Sequence, residues 1–180
     1  MKPIPIRLST LASLLFASNL LVECAQAQDK TSYALNEDQV HFRVPPGWTA
    51  VMEKTDGNPQ AVAFQVPDPT AQGTEDSATV TVKSRLLKTA EQFASVMLEE
   101  QTHAKEQSGF APDTSNADAN INQYFVVRGK TKYQVRDSFH RSGGFAVMVR
   151  CQRPLLDKTP AAWASLFDSG CASVVASVAP

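Results

Sequence analysis

Recognisable catalytic signatures are absent from this sequence. It contains no Gly-x-Ser-x-Gly segment, no glycine-rich phosphate loop that follows a strand and no C-x-x-C pair. The spacing of Glu100 and His103 matches part of a di-iron helix, but the further carboxylates and the second copy of that motif are missing. We interpret this pair as a solvated helix face, and His41 and His140 as exposed strand positions. The sequence therefore predicts no catalytic residue, no metal site and no cofactor.

An excess of charge of either sign is also absent. The chain has 17 Lys and Arg residues against 18 Asp and Glu residues, a formal net charge of −1. This balance argues against nucleic acid or an anionic membrane surface as the main partner. No long apolar run follows the N-terminal segment, so the sequence predicts no membrane span in the mature form.

The N-terminal segment has the features of a secretory signal peptide. Two basic residues precede an apolar stretch over residues 8–22, and Ala25-Gln26-Ala27 is typical of a cleavage site. Residues 1–27 are therefore predicted as a signal peptide, followed by a mature chain of about 150 residues, the size of one domain. We expect export to the periplasm.

Cysteine is scarce, with three residues in the chain. Cys24 lies in the predicted leader, where lipid attachment is an alternative to plain secretion, although Glu23 occupies a position at which lipoproteins have a small residue. Cys151 and Cys171 remain after cleavage, and two cysteines in an exported domain predict one disulfide. The alternative is a redox or metal pair, but no histidine lies near either cysteine in the sequence.

Alternating apolar and polar residues predict short antiparallel strands. The segments concerned are 40–44, 49–53, 61–66 and 78–84, then a three-stranded meander over 121–127, 133–139 and 145–151. Residues 28–39 are predicted to form a flexible N-terminal segment, and residues 40–180 a single domain.

Two helices are predicted in that domain. The first follows a capping-box pattern at residues 89–92 and ends at Gly109, and the second follows Thr159-Pro160. The apolar stripe of the second helix consists of Trp163, Leu166, Phe167, Gly170, Cys171, Val174, Val175 and Val178. Cys171 and Cys151 both lie on predicted apolar faces. The fold class is thus α+β: an antiparallel sheet of about six strands packed against two helices, with one disulfide.

Residues 42–48 read Phe-Arg-Val-Pro-Pro-Gly-Trp and resemble the opening of the PsbP-like superfamily. The order of the later elements, over about residues 40–178, is also similar to that family. The resemblance implies a PsbP-like α+β domain. It also implies a non-enzymatic role, since the family's members are mostly binding or assembly proteins, including accessory and immunity-like envelope proteins.

The polar face of the meander is the first candidate partner-binding surface. Lys130, Lys132 and Arg136 are predicted to share this face, joined by Arg150 from the neighbouring strand. We interpret it as a docking face for an acidic protein or a carboxylate ligand. A merely solvated sheet face is the alternative interpretation.

Two long loops form the second candidate surface. Residues 54–60, with Asp56 and Asn58, and residues 67–76 are rich in Asp, Gly and Pro. Such loops can present backbone groups to a partner.

The favoured function is a periplasmic, non-enzymatic protein-binding module. An immunity or inhibitor protein that blocks an envelope-acting toxin or enzyme is the narrower prediction, with another envelope protein as its partner. The first alternative is an envelope assembly or stress accessory protein that binds lipid or a membrane complex. The second is a hydrolase whose active site is scattered along the sequence.

Overall fold

The chain forms a large antiparallel sheet with one helix on each face. The computed structural model describes residues 31–70 and 76–178; the predicted signal peptide, residues 1–27, and Cys24 lie outside the described residues. The strands are β1 (Thr31–Leu35), β2 (Val40–Val44), β3 (Thr49–Lys54), β4 (Gln60–Val66), β5 (Ala78–Leu86), β6 (Ala111–Pro112), β7 (Ile121–Arg128), β8 (Thr131–Ser142) and β9 (Phe145–Pro154). The helices are α1 (Gln92–Lys105) and α2 (Ala161–Ser177).

The large sheet has seven strands in the order β3-β4-β5-β9-β8-β7-β6, and every neighbouring pair is antiparallel. Strands β1 and β2 form a separate two-stranded sheet. The predicted α+β class and the predicted disulfide between Cys151 and Cys171 are confirmed. The sheet exceeds the predicted size of about six strands by β6, whose two residues are too few to produce a sequence pattern.

Strand β1 lies within residues 28–39, for which the sequence predicts a flexible segment. It pairs along its whole length with β2. Leu35 is buried, and the Tyr33 ring stacks on Phe42 with 5.6 Å between centroids. Only Tyr33 and Leu35 alternate with other residues in β1. A pattern of two apolar side chains cannot be distinguished from a polar loop in the sequence.

Helix α1 begins and ends at different residues from those predicted. Glu91 is its N-cap residue without a side-chain capping bond, so the predicted box at residues 89–92 does not form. The Gln92 side chain instead accepts a hydrogen bond from the Lys88 N–H at 2.7 Å. The helix ends at Lys105, before the predicted end at Gly109.

Helix α2 begins one residue later than predicted. Pro160 is its N-cap residue in an extended conformation, and the Thr159 hydroxyl lies 3.3 Å from the Thr70 hydroxyl instead of capping the helix. The prediction that Leu166 belongs to the apolar stripe is wrong, because its side chain is 71% exposed. The side chains that α2 buries are those of Phe167, Cys171 and Val174.

One face of the large sheet, here called the α2 face, carries the main apolar core. Helix α2 and the β1–β2 sheet cover it. The core consists of side chains from β1, β2, β4, β5, β9 and α2, among them Phe42, Phe64, Val80, Val149 and Phe167. No residue of β7 or β8 belongs to this core, so these two strands extend beyond the edge of α2.

The opposite face, here called the α1 face, is covered by α1 along β7, β8 and β9. Ala104 packs on an apolar cluster from β7 and β8 that includes Tyr124 and Val135. Val96 packs on Leu87 and Ala146. Within residues 31–70 and 76–178, neither helix is long and apolar enough to cross a membrane.

Candidate functional site: a groove beside helix α2

A polar groove lies between the middle of α2 and the α2 face of β7, β8 and β9. Gln123 on β7 is directly opposite Arg136 on β8, which is directly opposite Cys151 on β9. The next row on the same face contains Gln134 and Arg153. The groove encloses about 140 Å³ and is lined by Gln123, Gln134, Arg136, Cys151, Arg153, Phe167, Asp168 and Cys171. We call it the arginine groove.

The two guanidinium groups in the arginine groove do not make all the hydrogen bonds that they can donate. The Nε atoms of Arg136 and Arg153 are buried and have no hydrogen-bond partner among the described residues. Arg153 Nε lies 3.6 Å from an Asp168 carboxylate oxygen, which makes an ion pair without a hydrogen bond. A buried donor without a partner costs about 1–3 kcal/mol. Both side chains line the groove, so their guanidinium groups carry unsatisfied hydrogen-bonding capacity beside a space that an acidic group could enter.

The positive surface continues from the groove along β8. Lys132 lies two residues before Gln134 on the same face, and its Nζ stands 4.1 Å from the centroid of the Phe125 ring. This contact has the geometry of a cation–π interaction. The structure thus places Lys132 and Arg136, both predicted partner-binding residues, on one face.

Arg150, which the sequence analysis placed with them, lies on the opposite face, so that placement is wrong. Strand β9 pairs Arg150 with Asp137, whereas Arg136 pairs with Cys151. Arg150 donates two hydrogen bonds to Asp137, Nε to Oδ1 at 2.7 Å and Nη2 to Oδ2 at 2.9 Å. The Tyr124 hydroxyl donates to Asp137 Oδ2 at 3.2 Å. This guanidinium is therefore engaged beneath α1 and does not face a partner.

The electrostatics of this pair follow from its burial. Burial raises the pKa of Asp137, and the hydrogen bonds and charge of Arg150 oppose that rise. Burial acts to lower the pKa of Arg150, but the hydrogen bonds and charge of Asp137 outweigh it and raise that pKa above its ordinary value. The pair is stabilised as an ion pair because each charge has its partner within hydrogen-bond distance.

Lys130 also lies outside the arginine groove. It is exposed in the turn between β7 and β8. Together with Arg128, Tyr133 and Asp76 it lines a separate depression. In that depression the Tyr133 hydroxyl donates to Asp76 Oδ1 at 3.0 Å.

The interpretation of Glu100 and His103 as one solvated face is wrong for Glu100. Glu100 is 3% exposed, pairs with Lys83 and lies 3.5 Å from Arg150, whereas His103 is exposed. Residues three apart lie close together on a helix surface. Here, however, Glu100 is on the buried side of α1 and His103 is on the solvent side. Within residues 31–70 and 76–178, no three His, Cys, Asp or Glu side chains gather into a group that could hold a metal ion.

His140 is half-buried, whereas the sequence predicts an exposed strand position. It lies on the α2 face opposite Val147. Its Nε2 atom is buried without a hydrogen-bond partner among the described residues. Burial lowers the pKa of His140, and the charge of Asp118 opposes this effect.

The predicted loop surface at residues 54–60 borders a second cavity. Asn58 lines a space of about 280 Å³ beside the β1–β2 turn, together with Glu37 and Leu86. Its Oδ1 accepts a hydrogen bond from the Leu86 N–H at 3.0 Å, so this side chain supports the loop. Asp56 is exposed.

The predicted loop surface at residues 67–76 is described in part, since residues 71–75 lie outside the described residues. Trp163 Nε1 donates to the Pro67 carbonyl at 2.8 Å. Asp76 accepts hydrogen bonds from Thr131 and Tyr133. Both ends of this loop are thus held by side chains from other elements.

Gln123, Gln134, Arg153 and Asp168 were not among the site residues predicted from the sequence. Gln134 was already on the face of Arg136 by its period-two spacing, and Arg153 follows Cys151 by the same spacing. The spacing puts Arg153 on the face of Cys151, but only the register of β9 with β8 shows that this is also the face of Arg136. Gln123 and Asp168 carry no such signal, since their positions depend on the register of β7 and on the docking of α2.

No protein-family model matches the chain, and no curated protein matches it at a significant level. Among solved structures, it is similar to PA94 of Pseudomonas aeruginosa, a protein of unknown function, with a TM-score of 0.49 and 15% identity over 84% of this chain and 96% of that one. It is also similar to LpqN of Mycobacterium tuberculosis, which is involved in cell envelope biogenesis, with a TM-score of 0.45 and 14% identity over 81% of this chain and 87% of that one. Similarity at this level carries no argument about a partner or an activity.

Proposed function

We propose that this chain is an exported, non-enzymatic module that binds an acidic protein of the cell envelope through the arginine groove. The observation that carries the proposal is that Arg136 and Arg153 line one groove, and that within residues 31–70 and 76–178 their buried Nε atoms have no hydrogen-bond partner. Such groups bind carboxylates strongly because their planar donors match the geometry of the acid. Lys132 extends the same positive surface and would steer an acidic partner towards it.

Export is supported by two independent features. The predicted signal peptide would direct the chain out of the cytoplasm. The disulfide between Cys151 and Cys171 is typical of proteins that mature in an oxidising compartment. The periplasm is the compartment that we propose.

The narrower role that we propose is that of an immunity or inhibitor protein. A rigid domain that presents one charged groove suits tight blocking of a single partner. The PsbP-like resemblance of residues 42–48 points to the same group of roles. An assembly or stress accessory that binds lipid is less well supported, because the groove is lined by charged and amide side chains instead of the apolar walls that an acyl chain needs.

The test is capture of partners from periplasmic extract by the immobilised mature protein. A Lys132→Glu, Arg136→Gln variant should lose the specific partner, and the loss should match the effect of raising the salt concentration on the wild type. Arg141→Gln is the matched control, since Arg141 is exposed on the same strand but belongs to the opposite face. A groove variant that folds normally and still captures every wild-type partner would refute the proposal. A captured toxin or enzyme supports the inhibitor role, whereas a membrane complex contradicts it.

A further inference from the structure

We infer that the arginine groove is a receptor for a single carboxylate, and that Asp168 of α2 is a built-in competitor for it. The inference rests on the proposed function and names the chemical group that the groove would recognise. It is carried by the position of three charges, Arg136, Arg153 and Asp168, around one small cavity.

The two guanidinium groups lie on the same face of the sheet, close enough to contact one ligand. Arg136 is directly opposite Cys151, and Arg153 lies two residues further along the same strand. They are therefore a diagonal cross-strand pair, with Cα atoms roughly 7–8 Å apart. Two long side chains at this spacing can both donate to one carboxylate.

The charge and the size of the cavity select the ligand. Two guanidinium groups and one carboxylate leave a net charge of one positive unit, which a monoanion neutralises. A cavity of about 140 Å³ suits a carboxylate with a few methylene groups. Gln123 and Gln134 supply neutral amide donors at the sides. A phosphate dianion would instead leave an excess negative charge beside the Asp168 carboxylate in the same cavity.

Asp168 lies near Arg153 but does not form a hydrogen bond with its Nε atom. Its side chain is 60% exposed, and its oxygen stays 3.6 Å from Arg153 Nε, beyond hydrogen-bond distance. An entering carboxylate can therefore compete with Asp168 for the guanidinium groups that line the cavity. Removal of the Asp168 charge should remove both a competitor and a source of repulsion.

The experiment is an NMR titration of the mature, disulfide-bonded protein, with the arginine side-chain Nε–H signals as the readout. The probes are N-acetyl-glutamate α-amide, which offers a side-chain carboxylate, N-acetyl-alanine, which offers a chain-terminal carboxylate, and inorganic phosphate. We expect one or both carboxylates to shift the Arg136 and Arg153 signals together with a common saturation curve, and phosphate to bind more weakly. The more strongly bound carboxylate identifies the source of the ligand.

Three variants make the inference falsifiable. Asp168→Asn should bind the carboxylate probe at least threefold more tightly, while Arg136→Gln should weaken it roughly tenfold, because a charge-assisted pair of hydrogen bonds is lost. Arg141→Gln is the control and should leave the titration unchanged. Equal shifts at Arg141 in the wild type, tighter binding of phosphate, or an Asp168→Asn titration identical to the wild type would each overturn the inference.

The outcomes also separate this inference from the proposed function. If partner capture depends on Lys132 and Arg136 but no carboxylate probe binds, the inference fails and the proposed function stands. If the probes bind as expected but the groove variant captures all wild-type partners, the proposed function fails and the carboxylate receptor stands.

Discussion

Asp137 is the most deeply buried charged side chain in the sheet. Its side chain is fully buried on the α1 face and accepts hydrogen bonds from Arg150 and Tyr124. Asp137→Asn conserves the shape of the side chain but leaves the Arg150 charge beneath α1 without its main partner. Loss of one member of a buried ion pair costs about 3–5 kcal/mol, so we expect a loss of that size in the free energy of unfolding, measured by urea denaturation.

The control for Asp137→Asn is Asp168→Asn, which removes the exposed partner of another arginine. The Asp168 carboxylate is 60% exposed and lies 3.6 Å from Arg153 Nε, so this ion pair should contribute only about 0–1 kcal/mol and the variant should remain close to the wild type. Equal urea midpoints for the two variants would contradict the prediction.

His140 should make the stability of the protein depend on pH. Burial lowers its pKa in the folded state, so below about pH 6.5 the unfolded chain takes up a proton more readily than the folded chain. Stability falls as the pH falls wherever the unfolded state binds more protons. We therefore expect the free energy of unfolding to decrease from about pH 7 to about pH 5. His140→Gln should reduce this slope.

The measurement is urea denaturation at several pH values for the wild type, His140→Gln and His103→Gln. His103 is exposed on α1 and reports the effect of removing an imidazole that stays in water. If the two variants have the same slope, the buried Nε2 of His140 is not the source of the pH dependence.

Helix α2 packs directly on the segment that carries the family resemblance, residues 42–48. A Cβ atom added to Gly170 would lie 2.8 Å from Trp48 Cζ2 and 3.4 Å from Pro45 Cγ. Gly to Ala in an open helix interior stabilises by about 1 kcal/mol, whereas overpacking costs about 1–3 kcal/mol. Because the contacted atoms belong to the rings of Trp48 and Pro45, we expect the packing cost to exceed the gain in helix propensity.

We therefore expect Gly170→Ala to lower the free energy of unfolding by up to about 2 kcal/mol, the packing cost less the helix gain. Thermal denaturation measures it, with Ser169→Ala at the exposed neighbouring position as the control. A stabilised Gly170→Ala variant would show that Trp48 moves aside easily and does not fix α2.

The elements also show what sequence patterns can and cannot predict. Strand β8 was predictable because Tyr133, Val135 and Phe139 alternate with polar residues. The error for Arg150 arose because β9 is buried on both faces, so its pattern does not indicate which side faces which helix. The register with β8 decides this, and register is a tertiary property.

Glu100 illustrates the same limit on a helix. A glutamate on a predicted helix is usually solvated. Here Lys83 and Arg150, which come from strands far apart in the sequence, neutralise it beneath α1. The arginine groove was only partly predictable for a similar reason, since Arg136 lies on a predicted strand face but Asp168 reaches the groove only through the docking of α2.

At the scale of the whole molecule, the sheet separates two kinds of interior. The α2 face is apolar and is joined to α2 by the disulfide, whereas the α1 face contains the charged group of Lys83, Glu100, Asp137 and Arg150. The arginine groove lies at the edge of the apolar side. Its position therefore depends on how firmly α2 is held against β9.

The disulfide should supply a large part of that attachment. It joins Cys151 on β9 to Cys171 on α2, with 6.2 Å between their Cα atoms and a sequence separation of 20. A cross-link that closes a loop of this size stabilises by about 3 kcal/mol through the restricted unfolded chain. Reduction of the wild type should therefore lower the free energy of unfolding by about that amount. The folded state should persist, since Phe167 and Val174 remain packed in the core.

Urea denaturation with and without reductant measures this loss. A Cys151→Ala, Cys171→Ala variant separates the link from the packing of the sulfur atoms. Both cysteines are buried, so the variant should be somewhat less stable than the reduced wild type, because it also loses buried volume. Its stability should not change when reductant is added. An oxidised wild type that unfolds at the same urea concentration as the reduced protein would show that packing alone holds α2 on the sheet, and that the groove does not depend on the disulfide.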